Sequence, residues 1–449
     1  MGNNNLVKKF TKLVININDK NRHYQVIVVG AGVAGITAAY FMAQAGVKVL
    51  LLERGPFPGS KNMSGGAVFS LPTREILPEF WQDAPVERVL VDQQYWLLTD
   101  SSAVKLGFAS TDLNEPPYNK FTVMRATFDR WFAAKATSAG AELWSGCKAE
   151  SLLKEGNRVR GVYVSGRENG PFTADLVILA QGVNPILAEK AGLLKKAESK
   201  SCSLYIKEMI YLPEEIINER FLVRPGQGSV IGLVGDNNAG LIGTGSIYTF
   251  NEHVSINTGV SVATLAQEKV NIGLLLARLK EHPLIEPLLK GGTTVEYLAH
   301  MIPEGGYHAV PEIVFNGMMI IGDAAGLVNG THGINLAMYS GRFAAESAIE
   351  ALHKGDSSQK GLSSYLEKLQ DSFVLKDLQD NKKVPGWYNA NPTLFKDYIR
   401  MINQSALQAS LVYPVSRRDK RRVILKEIFA ALPARKLLID ALNAIRVIR

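Results

Sequence analysis

Cysteine is nearly missing from this chain: only Cys147 and Cys202 occur among 449 residues. Two thiols cannot build the disulfide framework of a small secreted protein, which points to a reducing compartment. They also cannot supply the four cysteine ligands of a self-contained iron–sulfur cluster. The seven histidines are scattered, without the short spacing of a helical metal pair, and no metal is expected. Long apolar runs are missing too. No stretch of 18 apolar residues exists to span a bilayer. Residues 1–25 lack the continuous apolar core of roughly 7–15 residues that marks a signal peptide. The expected compartment is the cytoplasm, and any membrane contact is expected to be peripheral.

Excess charge is also missing from most of the chain. The formal net charge is +8, but from Leu411 onward ten basic residues stand against three acids, so the end alone accounts for seven of the eight. A nucleic-acid protein would usually spread basic groups over a face with interleaved aromatics, so no nucleic-acid partner is expected. The terminal helix pattern places Leu437, Leu438, Ala441, Leu442, Ile445 and Ile448 at helical spacing, with Arg435, Asn443 and Arg446 mostly elsewhere on the wheel. Such a basic amphipathic helix suits an anionic lipid surface or an acidic partner; packing on the protein with solvated charges is the plainer alternative.

What is present is core-forming material. Hydrophobic residues make up 46% and charged residues 20%, a globular balance that excludes disorder as the main state. The length allows two or three lobes. Val26 to Val29 is a short β-branched run, followed by the glycine cluster 30–35, an Ala-rich helix over Ile36 to Ala45, and a second buried strand over Val47 to Leu52. This β-α-β order is one half of a doubly wound sheet. Leu176 to Ala180 and Met318 to Ile321 are further apolar runs expected in the same sheet. Arg158 to Ser165 reads as a small β element. Several short strands over Cys202 to Gly245 predict a second, antiparallel sheet, and Ala263 to Leu289 reads as helical. Beyond the polar break at Gly355 to Gln359 the chain reads as mostly helical.

Gly30-Ala-Gly32-Val33-Ala34-Gly35 matches the dinucleotide fingerprint in its required context, after a strand and opening a helix. The first glycine permits the turn, the second lets a pyrophosphate approach the backbone, and the third packs helix on strand. Free N–H groups at the helix start face the phosphates. Glu53 lies 18 residues after Gly35, near the roughly 20 expected for a ribose-binding acid. Arg54 beside it is a weak cue for a 2′-phosphate. This motif by itself does not distinguish FAD from NAD.

The rest of the site is carried by resemblance. Met319-Ile-Ile-Gly322-Asp323-Ala-Ala-Gly326 resembles the second FAD motif of flavoproteins of the glutathione-reductase and hydroxybenzoate-hydroxylase type, in which the aspartate binds the ribityl chain. Leu176-Val-Ile-Leu-Ala180-Gln-Gly182 resembles their connecting motif, with Gln181 in place of the usual threonine. Pro58-Gly-Ser-Lys61-Asn62-Met-Ser64-Gly65-Gly66, Phe121 to Trp131 with Arg125 and Asp129, Tyr297 to Tyr307, and Thr331-His332-Gly333-Ile334-Asn335 to Met338 together resemble FixC-type flavoproteins. These are related to electron-transfer-flavoprotein:quinone oxidoreductase and, more distantly, to geranylgeranyl reductases. The resemblance covers essentially everything after Gln25.

The fold implied is α/β: a doubly wound FAD-binding domain with an inserted antiparallel-sheet substrate domain and C-terminal helices. The expected division is an N-terminal extension over 1–24, an FAD-binding domain over 25–80, 121–185 and 300–355, a substrate or quinone domain over 81–120 and 186–299, and a helical region with a basic tail over 356–449. The implied function is electron transfer from an electron-transfer flavoprotein to quinone, at the cytoplasmic membrane, with the iron–sulfur cluster on a small ferredoxin-like protein. A geranylgeranyl reductase and a non-catalytic FAD-containing scaffold are the alternatives. The helix starting at Gly333, Ile334 and Asn335 would point its positive end at the isoalloxazine. His332 has two readings, a group that tunes the flavin or relays a proton, or a packed polar cap. Arg125 pairs either with the FAD diphosphate or with Asp129 one turn on. Lys61, Asn62, Ser64, Gly65 and Gly66 are expected to shape the loop over the flavin. His300 reads as structural, and the two cysteines as small buried residues.

Overall fold

The computed structural model describes residues 22–235, 239–241, 243–330 and 332–448, without the side chains of 392–393 and 445–448. Most of the expected N-terminal extension, Thr331, the side chains of Ile445, Arg446 and Ile448, and all of Arg449 therefore lie outside the described residues.

The β-branched run that begins the nucleotide motif forms strand His23–Val29. It is flanked by two parallel neighbours, Val49–Glu53 and Gly170–Leu179. Outward from these pair Glu142–Ser145 and Met318–Ile320, both parallel. Four apolar stretches from distant parts of the chain thus share one sheet, as their near-continuous apolar character requires when both faces are covered. Cys147–Glu155 and Arg158–Gly166 extend the long strand Gly170–Leu179 as an antiparallel flap.

Helix Val33–Gln44 lies against the long helix Gly333–Lys354. The two backbones meet so closely that a Cβ on Gly341 would fall 2.2 Å from the Ala34 carbonyl oxygen. The expected helix starts earlier than Ile36, inside the glycine cluster, because Gly32 already serves as its N-cap. Val26 to Val29, Leu50 to Leu52 and Met318 to Ile321 are almost wholly buried in the core between the layers.

A second sheet is ordered Thr293–Ile302, Ser203–Tyr211, His253–Ser261, Gly243–Thr249, Gln227–Gly235, Val86–Leu98, Lys120–Val123 and Gly66–Phe69, with Ala103–Ala109 paired to the outside of Val86–Leu98. It is antiparallel as expected except at one junction, where Gln227–Gly235 runs parallel to Val86–Leu98. Gly66–Phe69 and Lys120–Val123 pair with this sheet, although both fall at or inside segments expected in the FAD-binding domain. The outer face is covered by helices Glu214–Phe221 and Ile272–Lys280 over Ile206, Ile210, Ile231 and Ile256. Its other face looks toward the first sheet.

The single helical stretch expected over 263–289 is three pieces, Val262–Glu268, Ile272–Lys280 and Glu286–Leu289. Lys269 takes a left-handed conformation (φ 53°) that stops the first, and Pro283 interrupts the second junction. After Gly355, whose left-handed backbone ends the long helix, six further α-helices and a short 3-10 turn at Pro392–Phe395 follow among the described residues, the last being Ala434–Ile448. None of the described helices is long and apolar enough to cross a membrane.

Candidate active site

Between the two sheets lies a cavity of ≈ 820 Å³. Its first wall is built by the glycine turn. Gly30 sits at φ 111°, where a side chain is strained, and a Cβ there would lie 2.3 Å from the Ala180 carbonyl oxygen. A Cβ on Gly35 would meet the Gly30 oxygen at 1.9 Å, whereas one on Gly32 would meet nothing within 4 Å. Gly32 borders the cavity together with Val33 and Ala34, while Gly35 serves packing. The space a Gly32 side chain would fill is therefore cavity, and the first N–H groups of helix Val33–Gln44 open onto it. That is the geometry of a pyrophosphate seat.

Glu53 ends the second strand and is 8% exposed. One carboxylate oxygen accepts from the Ala31 N–H at 3.1 Å and the other from the Gly55 N–H at 2.6 Å. It ties the glycine turn to the following loop and also reaches the cavity, as do exposed Arg54, Lys61 and half-buried Asn62. Ala180 and Gly182 complete this side.

The loop over the cavity is held from below. Arg125 grips Asp129 with two parallel hydrogen bonds, and Asn62 donates to the same carboxylate at 2.6 Å. Of the two readings for Arg125, the pairing with Asp129 is thus made; it is buried rather than superficial, and Arg125 still borders the cavity. Ser64 does not line the cavity through its side chain. Its carbonyl and that of Gly65 accept from the Lys207 ammonium at 3.4 and 2.6 Å.

Asp323 stands at the far end, after strand Met318–Ile320, in a tight turn with its carboxylate toward the cavity. Burial pushes its carboxyl up, while His300 and Arg125 pull it back. Gly322 (φ 64°) leaves room for Ala34, whose Cβ would be 3.0 Å from a Cβ placed there. Gly326 shapes the same turn but lies off the cavity, near Ala309 and Pro311.

Gly333 and Ile334 open the long helix onto the cavity. Asn335 does not follow them. Its side chain is fully buried, accepts from the Phe69 N–H at 3.1 Å and donates to Thr73 Oγ1 at 2.8 Å, clamping the helix to strand Gly66–Phe69. His332 also lies off the wall, with its ring against Phe69 and Phe373 at centroid distances of 5.8 and 5.9 Å. Burial lowers its pKa. This placement is that of a packing group at the helix start, not of a proton relay facing the cavity.

The second sheet and the turn after its strand Thr293–Ile302 supply further residues, of which only His300 and Glu304 lie within a quoted motif. Lys120, Tyr205, Lys207, Tyr248, His300 and Glu304 all face the cavity. Burial brings Lys120 and Lys207 down to about 8 and lowers His300. His300, expected to be structural, therefore borders the same space as Asp323. The visible signal is the alternation Tyr205, Lys207, Met209 against Ile206 and Ile210, which puts a lysine on the same strand face as a tyrosine. Cys147 and Cys202 are buried free thiols, and Cys147 borders the cavity.

The walls fit an extended dinucleotide: an open glycine seat and helix N-terminus at one end, a buried carboxylate at the other, and room between. Comparisons with known proteins agree. Residues 25–193 match the family model described as FAD dependent oxidoreductase, and residues 384–449 match the ETF-QO/FixC family C-terminal domain. Protein FixC of Azotobacter vinelandii is 40% identical over 408 residues, covering 90% of this chain and 94% of the relative. The probable electron transfer flavoprotein-quinone oxidoreductase YdiS of Escherichia coli is 37% identical over 383 residues, covering 84% and 88%. Among solved structures, a geranylgeranyl bacteriochlorophyll reductase-like protein from Thermoplasma acidophilum aligns with a TM-score of 0.69 at 20% identity, covering 92% of this chain and 97% of that one. At that identity the likeness speaks for the fold.

Proposed function

Since this chain belongs to the FixC and electron-transfer-flavoprotein:quinone oxidoreductase family of FAD-dependent oxidoreductases, we propose that it takes electrons from an electron-transfer flavoprotein and delivers them to a quinone. FAD, when bound, supplies the two-electron redox chemistry; the protein's part is to hold it and to shape what meets it. The backbone N–H groups after Gly32 receive the diphosphate, and Glu53 and Asp323 take the two sugar-like ends. Arg125, Asn62 and Lys207 fix the loop over the cavity. The observation that carries the reading is the identity of about 40% over nine-tenths of the chain with FixC proteins. A small ferredoxin-like protein is the proposed carrier of the iron–sulfur cluster, because two cysteines within these 449 residues cannot ligate one alone.

The C-terminal helices support a peripheral site of action on the cytoplasmic membrane. In Arg417–Ala431 and Ala434–Ile448 the basic residues Arg417, Arg418, Arg421 and Arg422 are exposed, and so are Leu425, Phe429, Leu438 and Leu442. Basic groups next to bare apolar side chains suit an anionic lipid interface.

The test is anaerobic. FAD-loaded protein is photoreduced and mixed with a short-chain quinone or with a geranylgeranyl compound. The reading expects fast reoxidation by the quinone and reduction of the resting protein by an electron-transfer flavoprotein. Reoxidation by the isoprenoid alone would make it a prenyl-chain reductase, and failure to be reduced by the donor flavoprotein would leave a scaffold.

A further inference from the structure

On the second-sheet wall, Tyr205 and Glu304 form a hydrogen-bonded pair that no part of the cofactor seat uses. The Tyr205 hydroxyl donates to Glu304 Oε1 at 3.3 Å and lies 3.1 Å from Thr244 Oγ1. All three residues border the cavity. Two glycines show that the pair is built into the fold. Tyr205 is the register partner of Gly259, and a Cβ on that glycine would sit 2.3 Å from ring carbons of Tyr205. Gly305, next to Glu304, is pressed so closely on Ala309 and Ser201 that a Cβ there would be 2.4 and 2.7 Å from their Cβ atoms. The phenol is thereby laid flat on its neighbouring strand, and the turn carrying the carboxyl is held against it.

The electrostatics suit a proton store. Burial pushes the Glu304 carboxyl up, with hydrogen bonds from Ser203 and Tyr205 drawing it back. Burial also raises the Tyr205 phenol, and the Glu304 charge raises it further. The other groups that face the pair are His300, directly opposite Tyr205 across the strand boundary, Tyr248 on strand Gly243–Thr249, one strand beyond His253–Ser261, and Cys202, whose thiol is raised by burial and by Glu304. Lys207, one step along the same face as Tyr205, is bonded to the Gly65 carbonyl instead.

We propose that Tyr205, backed by Glu304, is the proton donor to the carbonyl oxygen of the two-electron acceptor bound in this cavity. This rests on the reading that the acceptor is a quinone. A quinone becoming a quinol takes up two electrons and two protons. The electrons are those the oxidoreductase reaction passes to it. With the carboxyl protonated the bond reverses, Glu304 donating to the phenol oxygen so that the Tyr205 O–H is free for the acceptor. As one quinone oxygen gains its proton, the Tyr205 O–H bond breaks, the Glu304 proton moves to the phenol oxygen, and the carboxylate regains a proton from solvent. The second quinone oxygen takes its proton from solvent. Tyr205 is the catalytic residue, and Glu304 acts through it as a positioning and proton-supplying group.

The experiment compares wild type, Tyr205→Phe and Glu304→Gln at matched FAD content. The first readout is infrared difference spectroscopy of the FAD-free proteins, wild type minus Glu304→Gln, across a pH titration. A carboxylic-acid C=O band titrating above the ordinary glutamate value of 4.5 is expected; its absence throughout overturns the proposal. The second is single-turnover reduction of a short-chain quinone against pH. A fall in rate on the order of 10²-fold is expected for Tyr205→Phe, the lower range for general acids. Glu304→Gln is expected to lose the alkaline limb of the wild-type pH profile, on which the rate falls as Glu304 gives up its proton. Quinone reduction by wild type with rate and pH profile unchanged in both variants overturns this assignment alone. No quinone reduction by wild type overturns the functional reading, and this one with it.

Discussion

Arg125 and Asp129, one helical turn apart, face each other through two parallel hydrogen bonds of 2.9 and 2.8 Å, with the carboxylate fully buried and the guanidinium at the cavity edge. The pair does two jobs. It anchors the loop through Asn62, and it sets a positive charge beside Asp323 and His300.

Removing one partner of such a pair leaves the other stranded. Asp129→Asn is expected to cost about 3 kcal/mol of stability and to free the loop over the cavity. Thermal or denaturant unfolding of the FAD-free protein measures the first, and FAD retention through gel filtration the second. A variant as stable as wild type with full FAD would remove the anchoring role.

Asp323 carries a folded-state pKa raised by burial. In the FAD-free protein its charge is therefore a penalty at neutral pH, one that disappears as pH falls from the raised value through 3.8. Asp323→Asn is expected to be more stable than wild type at pH 7 in the FAD-free state, with the difference closing on acidification, while binding FAD more weakly. Paired pH–stability curves would show it. A difference independent of pH would contradict the burial argument.

Lys207 behaves in the opposite sense. Burial lowers it from 10.5 to about 8, so its charge is costly below pH 8 and the cost is relieved as pH rises from 8 toward 10.5. Over that window wild type should gain up to about 3 kcal/mol relative to Lys207→Met, since each pKa unit corresponds to 1.36 kcal/mol. Chemical denaturation at pH 7.5 and pH 10 measures the change, and parallel curves for the two proteins would refute it.

The basic end is tested by vesicle flotation. Wild type is expected to float with anionic vesicles at low salt and to be released at high salt, as exposed charge pairs with lipid are screened. Deletion of Arg417 to Arg449, which removes both the exposed arginines and the bare apolar side chains beside them, is expected to abolish flotation. Unchanged flotation of the truncated protein would move the anchor elsewhere.

Much of the cofactor end was legible in the sequence because a glycine's position has local meaning. Gly30 must adopt positive φ, Gly35 must let a backbone pass, and Glu53 must stand at a strand end; none of these needs knowledge of distant residues. Gly322 and Asp323 were legible through the resemblance of their segment to the second FAD motif of known flavoproteins. Asn335 was not, because residues advance 100° per step around a helix: Gly333, Ile334 and Ala337 share the cavity side, which leaves Asn335 facing Phe69. The acceptor wall was hidden for a different reason. Tyr205, Lys207 and His300 meet only because strands 203–211 and 293–302 pair across some ninety residues of chain, with Glu304 in the turn just beyond, and a strand's alternation says that it has two faces without saying what each face meets. The helical pattern over 263–289 gave type but not continuity, because the stop at Lys269 rests on a left-handed backbone that the residue itself does not announce.

The central claim is that the open side of the glycine turn is the seat of FAD, and the contrast between two glycine variants tests it most directly. Gly341→Ala would drive a methyl group into the Ala34 carbonyl 2.2 Å away and is expected to fail in folding. Gly32→Ala meets no protein atom within 4 Å and is expected to fold with wild-type unfolding behaviour. Measured by bound-flavin absorbance after purification and after incubation with FAD, Gly32→Ala should be folded yet nearly colourless beside a yellow wild type. A folded Gly32→Ala that retains FAD as tightly as wild type would contradict the account.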